Sequence, residues 1–512
     1  MTVTEGTQRR HQVLESGART YARSLPVVPV RARGLTVEAA DGRRYLDCLS
    51  GAGTLPLGHN HPVVLEAVRG VLDSGAPLDV LGVATPVEDA FVAELIGTLP
   101  TGLARHARVE FCGPAAQDAV DAALRLVRTA TGRSGILAFT GARHGTTPDT
   151  AHPAGPPRPA ATADTVRLPY PQDYRCPFGI GGPHGAELAA RWTESLLDDP
   201  LSGLPRPAGM IVEAVQGEGG VLPAPDGWLR RMRHITADRS LPLIADETHT
   251  GVGRTGAFWA VQHSGVTPDV MVLSEAVGGS LPLSAVVYHD DLADGTPADR
   301  TPGPRGNQLA MAAGAATLAY VRENGLAERA AALGARMLDR LRSLTGALPC
   351  VGEVRGRGLM IGVELVRDGE REAGGGDVRG GGDAVPGGGP GAGRACGGRD
   401  PVPRARAHTD GRTTSAVGAV AAPASGTASP VASPSSVRAL SAPRPAAPEL
   451  AAAVQRECLR RGLIVGLGGR HGGVVRLLPP LTITDEQATA VLDRLADAVQ
   501  AAALRTPSEE AL

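Results

Sequence analysis

GMIVEAV (209–215), LPLIAD (241–246) and VMVLS (270–274) decide the fold. Each is a short β-rich run with turn residues close by, too brief for a helix. Working outward, SGILAF (134–139) is a fourth run of the kind, and ARVEFC (107–112) precedes a helical pattern from about 116 to 131. From about residue 62 to 310 such runs alternate with helical patterns, which predicts an α/β fold with a mostly parallel sheet covered by helices. Ligands of such sheets sit outside the carboxyl ends of the strands. The residues just after each run are therefore where chemistry should be sought.

The flanks read differently. Residues 26–50 form short strands around a tight turn, with Asp41-Gly42 as a hairpin signal between two β-rich runs. Residues 307–344 carry one long helical pattern, and LMIGVELV (359–366) is again β-rich. Residues 367–447 are a Gly/Pro/Ala/Ser-rich insert with few large apolar residues, which predicts disorder because burial cannot offset the entropy of ordering. Structure is expected to resume at Pro448, well suited to a first helical turn, and to end in a helix over 484–503. The predicted organisation is an N-terminal arm and part of a small domain (1–60), a large domain (61–310), and a small C-terminal domain (311–366 and 448–505) split by the insert.

Composition narrows the class. The net charge of −2 lacks the basic excess of a nucleic-acid surface. No run approaches the roughly 18 apolar residues of a membrane span, and the opening MTVTEGTQRRHQ has no signal-peptide core. Cys48, Cys112, Cys176, Cys350, Cys396 and Cys458 show no metal or redox spacing, so free thiols in a cytoplasmic protein are expected, with no metal site. All 51 Lys+Arg residues are arginine. An arginine-rich genome explains scarce lysine more readily than its complete absence.

Several ordered strings carry a resemblance: RYLDCLSGAGTLPLGHNHP (44–62), EAVQGEGG (213–220), DETHTGVGRTGAFWA (246–260), RGNQLAMAAG (305–314), RGRGLMIGVEL (355–365) and the stretch from Gln455 to Thr484. Together they resemble the class III aminotransferases, most closely the diaminobutyrate–2-oxoglutarate type, over roughly residues 20–366 and 448–503. The resemblance implies a fold-type-I subunit, pyridoxal 5'-phosphate as cofactor, and a homodimer with sites at the interface. It also implies transfer of an amino group from an ω-amino acid such as diaminobutyrate to a 2-oxo acid.

The same resemblance exposes departures. The family's cofactor-binding lysine follows a short strand in a motif like LSKAIGGGLPL, whereas MVLSEAVGGSLPL here places Glu275 there. A carboxylate cannot form an imine. The phosphate loop, like GPSGAD in the family, reads Gly113-Pro114-Ala115-Ala116-Gln117-Asp118. The aromatic that stacks on the cofactor ring is replaced by Arg143, before His144 and Gly145. The partner-reaching threonine of Gly-Thr-Phe-Arg-Gly-Asn is absent from the segment around Gly303. Other family positions remain: Asp246 against the pyridinium nitrogen, Glu213 and Glu218, His249 beside the ring, and Arg476 for the substrate carboxylate. Asp246 also reads as a satisfied strand-end carboxylate and Arg476 as a surface ion pair; Ser50, Gly51 and the loop to His59 read equally as folding or dimer-packing residues. Three readings stand: a non-transaminating subunit paired with itself or with an active paralogue, an enzyme of altered chemistry using Glu275, or an ordinary transaminase.

Overall fold

A computed structural model describes residues 25–78, 83–144, 165–295, 307–367 and 442–504. The expected arm before residue 25, the Gly303 segment and most of the insert lie outside these described residues. Three N-terminal strands, β1 (Pro29–Arg33), β2 (Thr36–Ala39) and β3 (Arg44–Asp47), form antiparallel pairs, with Asp41-Gly42 turning between β2 and β3. Asp41 Oδ1 accepts the Arg43 N–H at 3.1 Å and closes that turn.

The central sheet has seven strands. They are β4 (Ala107–Phe111), β5 (Ile136–Phe139), β6 (Thr165–Leu168), β7 (Gly209–Val212), then, beyond the short hairpin of β8 (Val215–Gln216) and β9 (Leu222–Pro223), β10 (Leu243–Asp246), β11 (Val270–Leu273) and β12 (Ala285–His289). Their spatial order is β4-β12-β11-β10-β7-β5-β6, and β12 alone runs against its two neighbours. Four of these strands are buried at every position, because helices cover both faces. Helix Ala116–Thr131 turns Ala119, Val120, Ala123, Leu126 and Val127 to the sheet, a spacing of three and four that makes one apolar stripe. Phe139, Tyr170 and Trp228 pack edge-on with centroids 5.0–6.0 Å apart, and the Tyr170 hydroxyl donates to the Glu213 carbonyl at 2.8 Å. This aromatic cluster, at about 0.5–1.5 kcal/mol per pair, fixes the chain just after β7.

The long helical pattern at 307–344 is two helices, Gln308–Glu323 and Leu326–Ala347. Gly325 at φ +57° breaks them, a conformation its single hydrogen side chain tolerates. Gly334 in the second helix lies against the carbonyl of Gly358, where an added Cβ would come within 2.0 Å of oxygen. Gly334→Ala is therefore expected to lower stability by roughly 1–3 kcal/mol despite a helix-propensity gain of about 1 kcal/mol; an unchanged urea-unfolding midpoint would refute the contact.

The last sheet contains β13 (Val351–Arg357), β14 (Met360–Leu365), β16 (Gly466–Gly468) and β17 (Val474–Leu477) in the order β13-β14-β17-β16, while β15 (Leu463–Ile464) joins β3 in parallel. The two ends of the expected insert are ordered after all. Val366 bridges Ala446, Arg367 donates its N–H to the Pro445 carbonyl at 2.9 Å, and Arg444 caps the carbonyls of Pro349 and Val351. Backbone pairing does here what apolar content could not announce; residues 368–441 are not described. No helix among the described residues is long and apolar enough to cross a membrane.

Candidate functional site

Because β12 is the one reversed strand, β4, β5, β7, β10 and β11 present their carboxyl ends on one side of the sheet. The segments that leave them converge. Ala116 and Gln117 follow β4, Arg143 follows β5, Glu213 and Glu218 follow β7, and Asp246, Thr248 and His249 end and follow β10; with Val120 they line one cavity of about 240 Å³. Its position is that expected of a ligand site in an α/β sheet.

Asp246 sits at the floor. Its Oδ2 lies 2.9 Å from Nδ1 of the buried His144, and its Oδ1 accepts the Thr248 N–H at 3.1 Å. Burial alone would raise this carboxyl, but the hydrogen bond and charge of His144, with the Thr248 donor, outweigh it and hold it below its ordinary value. Glu213 moves the other way. Burial first, then the Asp246 charge, push it well above the ordinary range, against the Gly217 N–H that donates at 3.1 Å. The surroundings thus push two neighbouring carboxyls in opposite directions.

Glu218 bridges two cations. Arg476 Nη1 donates to Glu218 Oε1 at 2.6 Å and to the Gly217 carbonyl at 3.3 Å, and Arg143 stands 3.8 Å from Glu218 Oε2. Burial would raise the Glu218 carboxyl, yet Arg476, then His249 and Arg143, hold it below the usual value. Arg476 rises from β17 opposite Gly362 and Gly466, which leave it room. Its Nε, the His144 Nε2 and the Glu213 Oε2 are buried and without a hydrogen-bond partner among the described residues. Of these groups only Glu213 lines the cavity, and its unpaired oxygen is the one that a polar ligand there would satisfy.

The remaining expected residues fall elsewhere. Ala115 is the exposed cap of helix Ala116–Thr131, offers no side-chain acceptor, and donates its own N–H to Asp118 at 3.0 Å. Gln117, although it lines the cavity, spends its amide on Asp121, to which it donates at 2.8 Å. Glu275 opens the turn after β11 at φ +56° and is not among the cavity-lining residues; its carboxylate accepts the Thr54 hydroxyl. Ser50 and His59 both bind Asp47, through the Ser50 N–H at 3.0 Å and His59 Nε2 at 2.8 Å, so this loop is held by its own contacts. Thr248 and Val120 escaped the sequence reading. Thr248, two residues past Asp246, was within reach of a strand-end argument; Thr54, 221 residues from its partner Glu275, left no signal.

The comparisons agree with this architecture. The family description aminotransferase class-III matches residues 17–382. A diaminobutyrate–2-oxoglutarate aminotransferase of Rhizobium meliloti (strain 1021) is 43% identical over 496 residues, covering 96% of this chain and 92% of its own length. Another, from Haemophilus influenzae, is 37% identical over 495 residues, with coverage of 96% and 94%. A thermostable (S)-enantioselective omega-transaminase from Thermomicrobium roseum superposes with a TM-score of 0.73 at 24% identity, over 98% of each chain. An amine transaminase from an uncultivated Pseudomonas species gives 0.71 at 24% identity, over 93% of this chain and 95% of that one. The solved structures establish the fold-type-I α/β arrangement. On the profile match and the two relatives, the chain belongs to the class III aminotransferase family and is closely similar to its diaminobutyrate–2-oxoglutarate members.

Proposed function

We propose that this chain is an aminotransferase-fold protein of the diaminobutyrate–2-oxoglutarate type that does not transaminate through a lysine imine. The observation that carries the reading is that none of the 512 residues is lysine. Glu275, which the family motif aligns with the lysine, is instead engaged by Thr54. The fit of pyridoxal phosphate is correspondingly poor. Asp246 would suit a ring nitrogen, but the helix start offers only backbone N–H groups, with no hydroxyl at Ala115 or Ala116. Arg143 is two-thirds exposed at the rim, where its guanidinium turns to Glu218. The cavity suits a small polar ligand held without a covalent bond. In this reading the chain acts in the cytoplasm as a subunit, paired with itself or with a lysine-bearing relative whose interface site it completes or regulates.

A second reading has one observation behind it. A non-glycine residue at φ +56° is strained, and such strain gathers at functional sites, so Glu275 would serve as a general base on a non-covalently held ligand. One titration separates the two. Added pyridoxal phosphate is expected to give no imine absorbance band and no saturable heat. Saturable heat without the band would favour the Glu275 chemistry, and a stoichiometric band would sink both.

A further inference from the structure

The end of the central sheet opposite the cavity carries a second cluster of donor groups, independent of the reading above. His106 precedes β4, His289 ends β12, and Asp290 and Asp291 follow it. The antiparallel ladder sets their spacing: Ala107 pairs with His289, and the Asp290 N–H donates to the His106 carbonyl at 2.9 Å. The two imidazoles stack with centroids 4.7 Å apart and planes at 25°. Asp290 Oδ1 stands 3.3 Å from His289 Nδ1 and 3.6 Å from His106 Nδ1, and Asp291 Oδ2 stands 3.4 Å from His289 Nδ1.

A plain charge-pair cluster is the ordinary alternative, since all three contacts lie within ion-pair reach, but none closes to a hydrogen bond. Hydrogen bonds between such groups run at about 2.7–3.2 Å, so all three contacts are too long to be good ones. They are instead close to the edges of a tetrahedron, about 3.3–3.5 Å, around an ion with bonds of about 2.0–2.2 Å to nitrogen and oxygen. One donor atom each from His106, His289 and Asp290 lies within 4.8 Å of the others. The Asp291 N–H donates to His289 Nδ1 at 3.4 Å, so that nitrogen carries no proton, and an ion bound there would displace this long contact. His289 and Asp291 also line a cavity of about 670 Å³ beside the amino ends of β10 and β11. Arg230 and Arg233 line it too, but they are engaged by the Ser264 carbonyl and by Asp269. That cavity gives an ion room for an open coordination position.

The geometry points to a divalent transition-metal site of the zinc type, with His106, His289 and Asp290 as protein ligands and Asp291 or water as the fourth. Two nitrogens and a carboxylate suit zinc or cobalt(II) rather than magnesium or calcium. The ion would clamp the edge pair β4–β12 at its solvent end.

The full chain, freed of any affinity tag and stripped with chelator, should bind zinc chloride with saturable heat at one ion per chain. His106→Ala and His289→Ala should each weaken binding at least about a hundred-fold, the upper end of what loss of a mere supporting contact costs. His184→Ala, at an exposed histidine elsewhere, should leave it unchanged. If an alanine variant loses its native circular dichroism, His289→Gln and Asp290→Asn carry the same expectation with less change in volume. Cobalt(II) should show the strong visible bands of a tetrahedral site. Absence of saturable binding, binding that survives both histidine substitutions, or a weak octahedral cobalt spectrum would each overturn the proposal.

Discussion

Glu275→Lys should convert a chain with no side-chain amine for borohydride to trap with pyridoxal phosphate into one carrying a single side-chain adduct. The argument is one of register. Asp246 at the end of β10 pairs with Val272 on β11, so Glu275, three residues beyond, leaves the sheet on the cavity side. A lysine there would carry its amine on a longer stem than the present carboxylate, and an amine is the group an aldehyde needs for imine formation. The backbone cost is already present, because Glu275 holds φ +56° with an ordinary side chain. The substitution also removes the Thr54 contact with Glu275, leaving that hydroxyl its bond to the Gly51 carbonyl at 2.7 Å. Intact mass after reduction should show the increment in Glu275→Lys and not in the parent or in Glu275→Gln, with the α-amine as shared background. Failure of the lysine variant to trap, with its circular dichroism unchanged, would mean that the turn after β11 does not reach a bound aldehyde. The correspondence with the family lysine would then fall.

Much of this frame was legible before any coordinates. The five strands whose ends surround the site are short apolar runs bounded by turn residues, and local pattern is enough to find such runs. Helix Ala116–Thr131 falls where a helix from about 116 to 131 was expected, and Gly132, at φ +66°, stops it. The break at Asn324–Gly325 was harder: the apolar period continues through it, and only the left-handed glycine marks two helices. Pairings between distant segments left no trace in the pattern. Asp246 and His144 stand 102 residues apart, and Glu218 and Arg476 stand 258 apart; both members of each pair were named as site residues, but not as each other's partners. The Arg476 ambiguity between ligand grip and ion pair has a structural counterpart, since its Nη1 is bound to Glu218 while its buried Nε is unpaired. Sequence pattern reports which face of an element is apolar. It does not report which polar groups meet once the elements are stacked.

The strand end at β10 also sets two adjacent carboxyls on opposite courses, and the second of them should make stability fall between mildly acid pH and neutrality. Glu247 turns away from the cavity into the interior, where its oxygens accept the Val261 N–H at 2.9 Å and the Thr250 hydroxyl. Burial is the largest influence on it; the Thr250, Val261 and Ala260 donors offset only part, and the Asp246 charge adds to the rise, so the carboxyl is pushed up to about 7. Its ordinary value is 4.5. Between those values the folded chain holds a proton that the unfolded chain has released, so stability falls as pH rises through this window. Below it both states are protonated and the contribution is complete; above about 7 the loss is complete, at about 3 kcal/mol from a separation of some 2.5 pH units. Glu247→Gln removes the titration and keeps the bonds, since an amide oxygen can accept from Val261 while its nitrogen donates to the Thr250 oxygen. The urea-unfolding midpoint of the parent should therefore drop relative to Glu247→Gln between about pH 5 and about pH 8.5, with the two converging at the acid end. Glu213 is also raised, so Glu213→Gln serves as the separate control for the alkaline slope that Glu247 does not explain. Parallel pH profiles for the parent and Glu247→Gln would show that Glu247 is charged in the folded protein throughout, and that the interior beside β10 holds two carboxylates rather than one.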